Sequence, residues 1–182
     1  MTTTAPRVIG TGELVRLREK QLEDAKRDYE WRRDPELARY DAARPLTMSY
    51  RSFVANMSED LRFASAYRRS FAIEELERGT HIGNVMYYGY DPVSREAELG
   101  ITIGDRDYWS RGYGRDAVAV MLRYLFDERE LARVYLHTLS WNYRAQAAFR
   151  HAGFRHVRSV HRDGHDFEQM EARAEDLLEQ AG

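Results

Sequence analysis

Gly112 and Gly114 stand two residues apart, flanked by Arg111 and Arg115, where a strand-like run gives way to a helical one. Ala97 to Ile103 before them reads as a strand. After them Val118, Met121, Leu122 and Leu125 fall at i, i+3, i+4 and i+7, the spacing of one helix face. Glycines at the junction let the backbone turn tightly and come close to a ligand, because neither carries a Cβ. The first-turn N–H groups of the helix have no intrahelical partners, and the helix dipole adds partial positive charge there. Such a turn suits a phosphate or pyrophosphate, held on the backbone from Arg111 through Gly112, Tyr113 and Gly114 to Arg115. Two better-known phosphate motifs fail on context. Gly112-x-Gly114-x-x-Ala117 has the spacing of a dinucleotide fingerprint, but that unit wants an acid roughly 20 residues on. The next strand-like run, Val134 to Leu139, leads only to Ser140-Trp141-Asn142. A P-loop needs Gly-Lys-Ser/Thr, which is missing. By itself the turn also fits a tight bend before an ordinary surface helix.

The elements around this turn follow from periodicity and punctuation. Glu13 to Arg18 alternates apolar and polar residues and predicts a first strand. Leu22, Ala25 and Tyr29 keep helical spacing, and Asp34-Pro35-Glu36 restarts a helix with Asp as cap and Pro at the first position. Tyr50, Phe53, Val54 and Met57 mark a further amphipathic helix whose apolar face is read as core. Phe71 to Ile73, Ile82 to Tyr90 and Ala97 to Ile103, separated by turns at Gly79 and Asp91-Pro92, predict an antiparallel meander. Asn142 opens a helix with Ala145, Ala148, Phe149 and Ala152 on one face, and Gly153 ends it in a left-handed cap. Phe154 to His161 and Asp166 to Ala172 flank Asp163-Gly164, a hairpin signal. The order is strand, helices, three strands, helix, strand, helix, two strands, which predicts a mixed α/β sheet.

Tyr108-Trp109-Ser110-Arg111-Gly112-Tyr113-Gly114, followed by Asp116 and Ala117, resembles the signature of the GCN5-related N-acetyltransferase (GNAT) superfamily, Gln/Arg-x-x-Gly-x-Gly/Ala. Gly112 and Gly114 match, and Trp109 takes the Gln/Arg slot. Asn142 with Gly153-Phe154 eleven residues later is similar to the second motif of that family. The aromatic-rich form of the turn and Trp31-x-x-Asp34-Pro35-Glu36 look like the RimJ/RimL branch, which acetylates protein N-termini. The resemblance covers the chain after about its first ten residues. It implies the acyl-CoA N-acyltransferase fold, a largely antiparallel central sheet flanked by helices. It also implies an enzyme that uses acetyl-CoA as cosubstrate, with no metal. Trp109, Ser110 and Arg111 to Arg115 would bind the cofactor, with its pyrophosphate on Arg111 to Arg115, and Ile101, Thr102 and Ile103 would hold the pantetheine by backbone hydrogen bonds, as a strand pairs with a peptide. Asn142 caps its helix, bonds the pantetheine, or does both. Phe149 replaces the Tyr that many relatives use as acid to the thiolate. It is read as core plus cofactor contact, which leaves Tyr143 as candidate acid or an unassisted thiolate. Ala97-Glu98-Leu99 resembles the strand that carries the general base of the histone-acetyltransferase branch, so Glu98 is the candidate base. A solvated strand face is the bland alternative for Glu98. His137 on the next strand is the reserve, because histidine titrates near neutrality.

The implied acceptor is a protein or peptide N-terminal α-amine. The alternatives are a polyamine or aminoglycoside amine, or no chemistry at all in a non-catalytic acyl-CoA-binding module. Composition bounds the rest. A chain of 182 residues, 43% apolar, is long enough for one domain with a proper core, expected over residues 11–180 after a disordered lead-in over 1–10. A net charge of −2 gives no reason to expect nucleic acid. No apolar run approaches a membrane span, and the N-terminus has no secretory h-region. With no cysteine there is no disulfide, thiolate metal site or Cys nucleophile, and a cytoplasmic place is expected. A monomer or homodimer is expected.

Overall fold

The computed structural model describes residues 5–180. Eight strands form one sheet in the order β1-β2-β3-β4-β5-β6-β8-β7. The strands are β1 Val8–Thr11, β2 Val15–Glu19, β3 Arg69–Glu75, β4 His81–Asp91, β5 Glu96–Ile103, β6 Arg133–Leu139, β7 Arg155–Arg162 and β8 His165–Arg173. Every neighbouring pair is antiparallel except β5 and β6. The helices are α1 Ala25–Arg33, α2 Pro35–Tyr40, α3 Tyr50–Arg62, α4 Tyr113–Arg123, α5 Tyr143–His151 and α6 Ala174–Gln180. The mixed α/β sheet and the meander β3-β4-β5 are as the sequence predicts. No helix among the described residues is long and apolar enough to cross a membrane.

Packing places α4 at the centre of one sheet face. Ala117, Val118, Val120, Met121 and Leu122 are buried there with Val15, Val85, Leu99 and Leu136 from the strands. Each of these valine, leucine and methionine side chains contributes on the order of 1.5–3 kcal/mol through burial. The helix then continues into one π turn, Tyr124–Glu128. Asp34 caps α2 as expected, accepting from the N–H groups of Glu36 at 2.9 Å and Leu37 at 3.1 Å, with Pro35 next.

Three expectations need correction. Val8 to Gly10, placed in a disordered lead-in, belong to β1, because Val8 and Gly10 pair with Arg18 and Leu17 of β2. Met1 to Thr4 lie outside the described residues. The apolar face of α3 is not core. No residue of α3 is fully buried, and Phe53 and Met57 roof a cavity instead. Lastly, α6 carries no signal that the periodicity picked up.

β5 and β6 are in register only from Glu96, Ala97 and Glu98 against Arg133, Val134 and Tyr135. Beyond Glu98 the two strands part, although β4 follows β5 to Ile103 and β8 follows β6 to Leu139. β4 is bulged between Tyr88 and Asp91, opposite the point where the pairing ends. A bulge adds local twist to a sheet, which favours such a divergence.

Candidate functional site

The gap between β5 and β6 opens into a cavity of about 1170 Å³. One wall is the glycine turn and α5, and the other is the underside of α1, α2 and α3. The phase of the ladder decides which backbone groups face the gap. The Gly104 N–H donates to the Ile82 carbonyl at 3.0 Å. In an antiparallel pair hydrogen bonding alternates, so Thr102 and Gly100 spend their backbone groups on β4. Ile101 and Ile103 therefore present theirs to the gap, and Leu99 only its carbonyl, because the pairing of Glu98 with Tyr135 takes the Leu99 N–H. This corrects the expected trio: the backbone groups of Ile101 and Ile103 face the gap, and those of Thr102 do not. The Ile103 carbonyl is already taken by Trp109 Nε1 at 2.7 Å, so that residue offers its N–H alone.

Gly112 is the N-cap of α4 with φ +89, a conformation that requires glycine in practice. Gly114 is not strained. An added Cβ would meet Ile103 Cγ1 at 3.7 Å, an ordinary contact, so its bareness serves the space outside the helix rather than the fold. Ser110, Arg111, Gly112, Gly114 and Arg115 line the cavity. The Tyr113 ring does not. It packs edge-on against Tyr108 at 4.9 Å, leaving only its backbone N–H at the helix start. Arg111 is steadied by the Asp107 carbonyl at 2.9 Å. Asp116, the acid of the motif, works for the fold. Its carboxylate accepts from the N–H groups of Glu13, Leu14 and Val15 at 3.2, 2.8 and 3.0 Å and pins the β1–β2 turn to α4.

His137 and Glu98, two separate candidates in the sequence, form one unit. Nδ1 of His137 lies 2.8 Å from Oε1 of Glu98, and both side chains are nearly closed off, at 12% and 14% exposure. A carboxylate only accepts, so Nδ1 carries the hydrogen, and in the neutral ring that leaves the lone pair on Nε2. His137 lines the cavity; Glu98 stands behind it. Tyr88 lies opposite Glu98 on β4. Burial, followed by the charge and hydrogen bond of Glu98, pushes its phenol well above the ordinary value, so it stays protonated. Sequence reading passed over Tyr88, whose only signal was the register of the meander. It also passed over Asp41, which follows α2 and accepts from Thr102 Oγ1 at 3.2 and 3.3 Å. Asp41 touches the water of the open cavity but is walled by protein, and that loss of hydration pushes its pKa up to about 6.

Asn142 caps α5, accepting from the Ala145 N–H at 3.3 Å, and also lines the cavity. Phe149 is buried against Phe154, with ring centroids 5.8 Å apart, and borders the cavity. Tyr143 is not brought to the site. It sits on the first turn of α5 with 74% of its surface exposed, away from the cavity lining.

Residues 15–155 match the acetyltransferase (GNAT) domain family. An uncharacterized N-acetyltransferase p20 of Bacillus licheniformis is 30% identical over 123 residues, 67% of this chain and 68% of that one. The fold is shared with the spermidine N-acetyltransferase of Vibrio cholerae, solved in complex with CoA and spermine. That comparison has a TM-score of 0.79 at 19% identity, covering 90% of this chain and 98% of that one. It is shared also with the aminoglycoside acetyltransferase AAC(6')-Ib in complex with coenzyme A, at a TM-score of 0.76 and 16% identity over 92% and 99% of the two chains.

Proposed function

The chain belongs to the GNAT acetyltransferase family, and we propose that it moves the acetyl group of acetyl-CoA directly to a primary amine held in the same cavity. The observation that carries this reading is the His137–Glu98 pair beside the parting of β5 and β6. The N–H groups at the start of α4, with Arg111 and Arg115, suit the pyrophosphate. Ile101 and Ile103, with the side-chain amide of Asn142, suit the amides of the pantetheine arm, and Phe149 its flank. A gap-facing strand N–H is placed to polarise the thioester carbonyl, as an oxyanion-hole donor does.

In this reading His137 Nε2 takes the proton from the amine. Glu98 keeps the imidazole in the useful tautomer and steadies the charge it gains, the division of labour of other carboxylate–histidine pairs. The amine nitrogen bonds to the carbonyl carbon as the carbon–sulfur bond breaks. Phe149 has no hydroxyl, and Tyr143 lies outside the cavity. The sulfur leaves as thiolate, which a thiol pKa of about 8.5 allows.

Two acceptor classes remain in view. The RimJ/RimL-like motifs imply a protein or peptide N-terminal α-amine. The unpaired Asp41 on the acceptor wall favours a small polyamine or an aminoglycoside. Free-thiol release from acetyl-CoA, measured with a peptide of free N-terminus, a diamine, spermidine and an aminoglycoside, tests the reading. CoA binding without thiol release on any of the four would leave a non-catalytic acyl-CoA-binding module.

A further inference from the structure

Three acids line the cavity, and Asp41 is the one whose charge is unanswered. Asp28 is held by Lys20 and by Asn84 Nδ2 at 2.7 Å. Asp60 lies 3.7 Å from Arg68. Asp41 accepts from Thr102 Oγ1, and among the described residues no Lys, Arg or His comes within 4.0 Å of it. Arg32 acts on it only through space.

The backbone holds this carboxylate firmly. α2 ends with the Ala42 N–H on the Arg39 carbonyl at 3.2 Å and the Ala43 N–H on the Ala38 carbonyl at 2.9 Å. This is a Schellman cap, with Ala42 rather than glycine in the left-handed position at φ +50. The Leu46 N–H then donates to the Arg32 carbonyl at 2.8 Å and ties the following loop to α1.

Glu98, Gly100 and Thr102 share one face of β5, two-residue steps of roughly 6.6 Å each. Gly100 puts no side chain between them, and Met86 and Tyr88 close in over it, at 3.2 and 3.4 Å from where a Cβ would stand. The cavity floor thus has His137 and Glu98 at one end and Thr102 and Asp41 at the other. Tyr40, Met48, Phe53 and Met57 supply apolar surface above it.

We propose that Asp41 is the specificity-determining residue for the acceptor, binding a second ammonium group on the order of 6–10 Å from the reacting amine, so that small aliphatic diamines are preferred. The inference rests on the acetyl-transfer reading above. Asp41 keeps contact with the cavity's water and has no cation against it, so an ammonium there gains an ion pair without breaking one. The surrounding wall raises the Asp41 pKa, and Thr102 and the more distant Arg32 only partly oppose it.

The test is calorimetric titration of the protein, with CoA present, by 1,4-diaminobutane and by butylamine. Wild type should bind the diamine at least about tenfold more tightly than the monoamine. Asp41→Asn keeps the shape and the Thr102 contact. It should bring the two within about twofold of each other while leaving butylamine unchanged, and Asp41→Glu should restore part of the preference. In turnover, KM for the diamine should rise in Asp41→Asn with kcat nearly unchanged. Equal weakening of both amines in Asp41→Asn, or no diamine preference in wild type, would overturn the proposal. So would a neutral peptide N-terminus bound as tightly as the diamine. Binding is read without turnover, so failure of the acetyl-transfer reading shows separately, as a diamine preference with no thiol release.

Discussion

One 2.8 Å hydrogen bond changes the roles of Glu98 and His137 from rivals to partners. The spacing of Ala97-Glu98-Leu99 marked the carboxylate, and ordinary titration chemistry marked the histidine. Neither feature revealed that the parallel register of Glu98 with Tyr135 sets His137 beside the acid and in front of it. His137→Ala should therefore lower kcat/KM by roughly 10²–10⁴-fold, the range of a lost general base. Glu98→Gln should cost less, toward the low end of that range, because the ring is still there but its tautomer is no longer enforced. The loss should also depend on the acceptor. An α-amine, with a pKa of about 7.7–8.0, is partly unprotonated near neutrality, whereas a lysine-type amine near 10.4 is not. Rising pH should restore much of the Glu98→Gln rate with a peptide and less with an alkylamine. Superimposable pH–rate profiles for wild type and both variants would remove the pair from the reaction. Tyr143 marks the limit of reading residues singly. It has the right chemistry on the right helix, but the first turn of α5 points it to solvent.

At the scale of the element, the turn into α4 separates what glycine does for the fold from what it does for a ligand. Gly112 is fixed by its φ of +89, but Gly114 has only a 3.7 Å neighbour where a Cβ would stand. Gly114→Val should therefore leave the melting temperature within a few degrees of wild type and weaken CoA binding at least tenfold. Unchanged affinity in the folded variant would take the pyrophosphate away from this turn. The end of α2 makes the opposite case. A left-handed alanine costs about 1 kcal/mol or more relative to glycine, so Ala42→Gly should stabilise the protein by about that amount in urea unfolding. A destabilised Ala42→Gly would show that the cap is not strained as drawn. Elements with strong local signals were legible in advance: the meander, the Asp34-Pro35 cap, and the Asp163-Gly164 turn, where φ is +52 and +78. α3 was misread because amphipathicity reports an apolar face without saying what lies beneath it, and here a cavity does. The Asp41 position was illegible for a related reason. A helix end held by an alanine in place of glycine carries no sequence mark.

Across the whole molecule, the sheet is two blocks joined by a short seam. β1 to β5 form one antiparallel block and β6, β8 and β7 the other, and only three residue pairs of β5 and β6 connect them as strands. The cavity opens where that seam stops, so the site exists because the sheet is incompletely zipped. What strengthens the seam is an ionic cluster beside it. Arg133 of β6 reaches Glu96 of β5 at 2.9 Å and Glu171 of β8 at 2.6 Å. Glu171 also accepts from Arg155 of β7 at 2.9 Å and from Arg173 at 3.1 Å. Burial alone would raise the pKa of Glu171, but the hydrogen bonds from Arg133, Arg173 and Arg155 outweigh it and hold the pKa at about 2. Its ordinary value is 4.5. A carboxylate depressed by folding stabilises the folded state above its unfolded pKa and loses that contribution as the pH falls through its folded one. Glu171→Gln should therefore be clearly less stable than wild type at pH 7, because three arginines face a group that no longer carries charge. The gap should hold down to about pH 4.5 and close between there and about pH 2, as the wild-type carboxylate takes up its proton. Urea midpoints of the two proteins across that range measure it. A gap that stays constant down to pH 2 would mean that Glu171 acts through packing, and that the seam owes nothing to its charge.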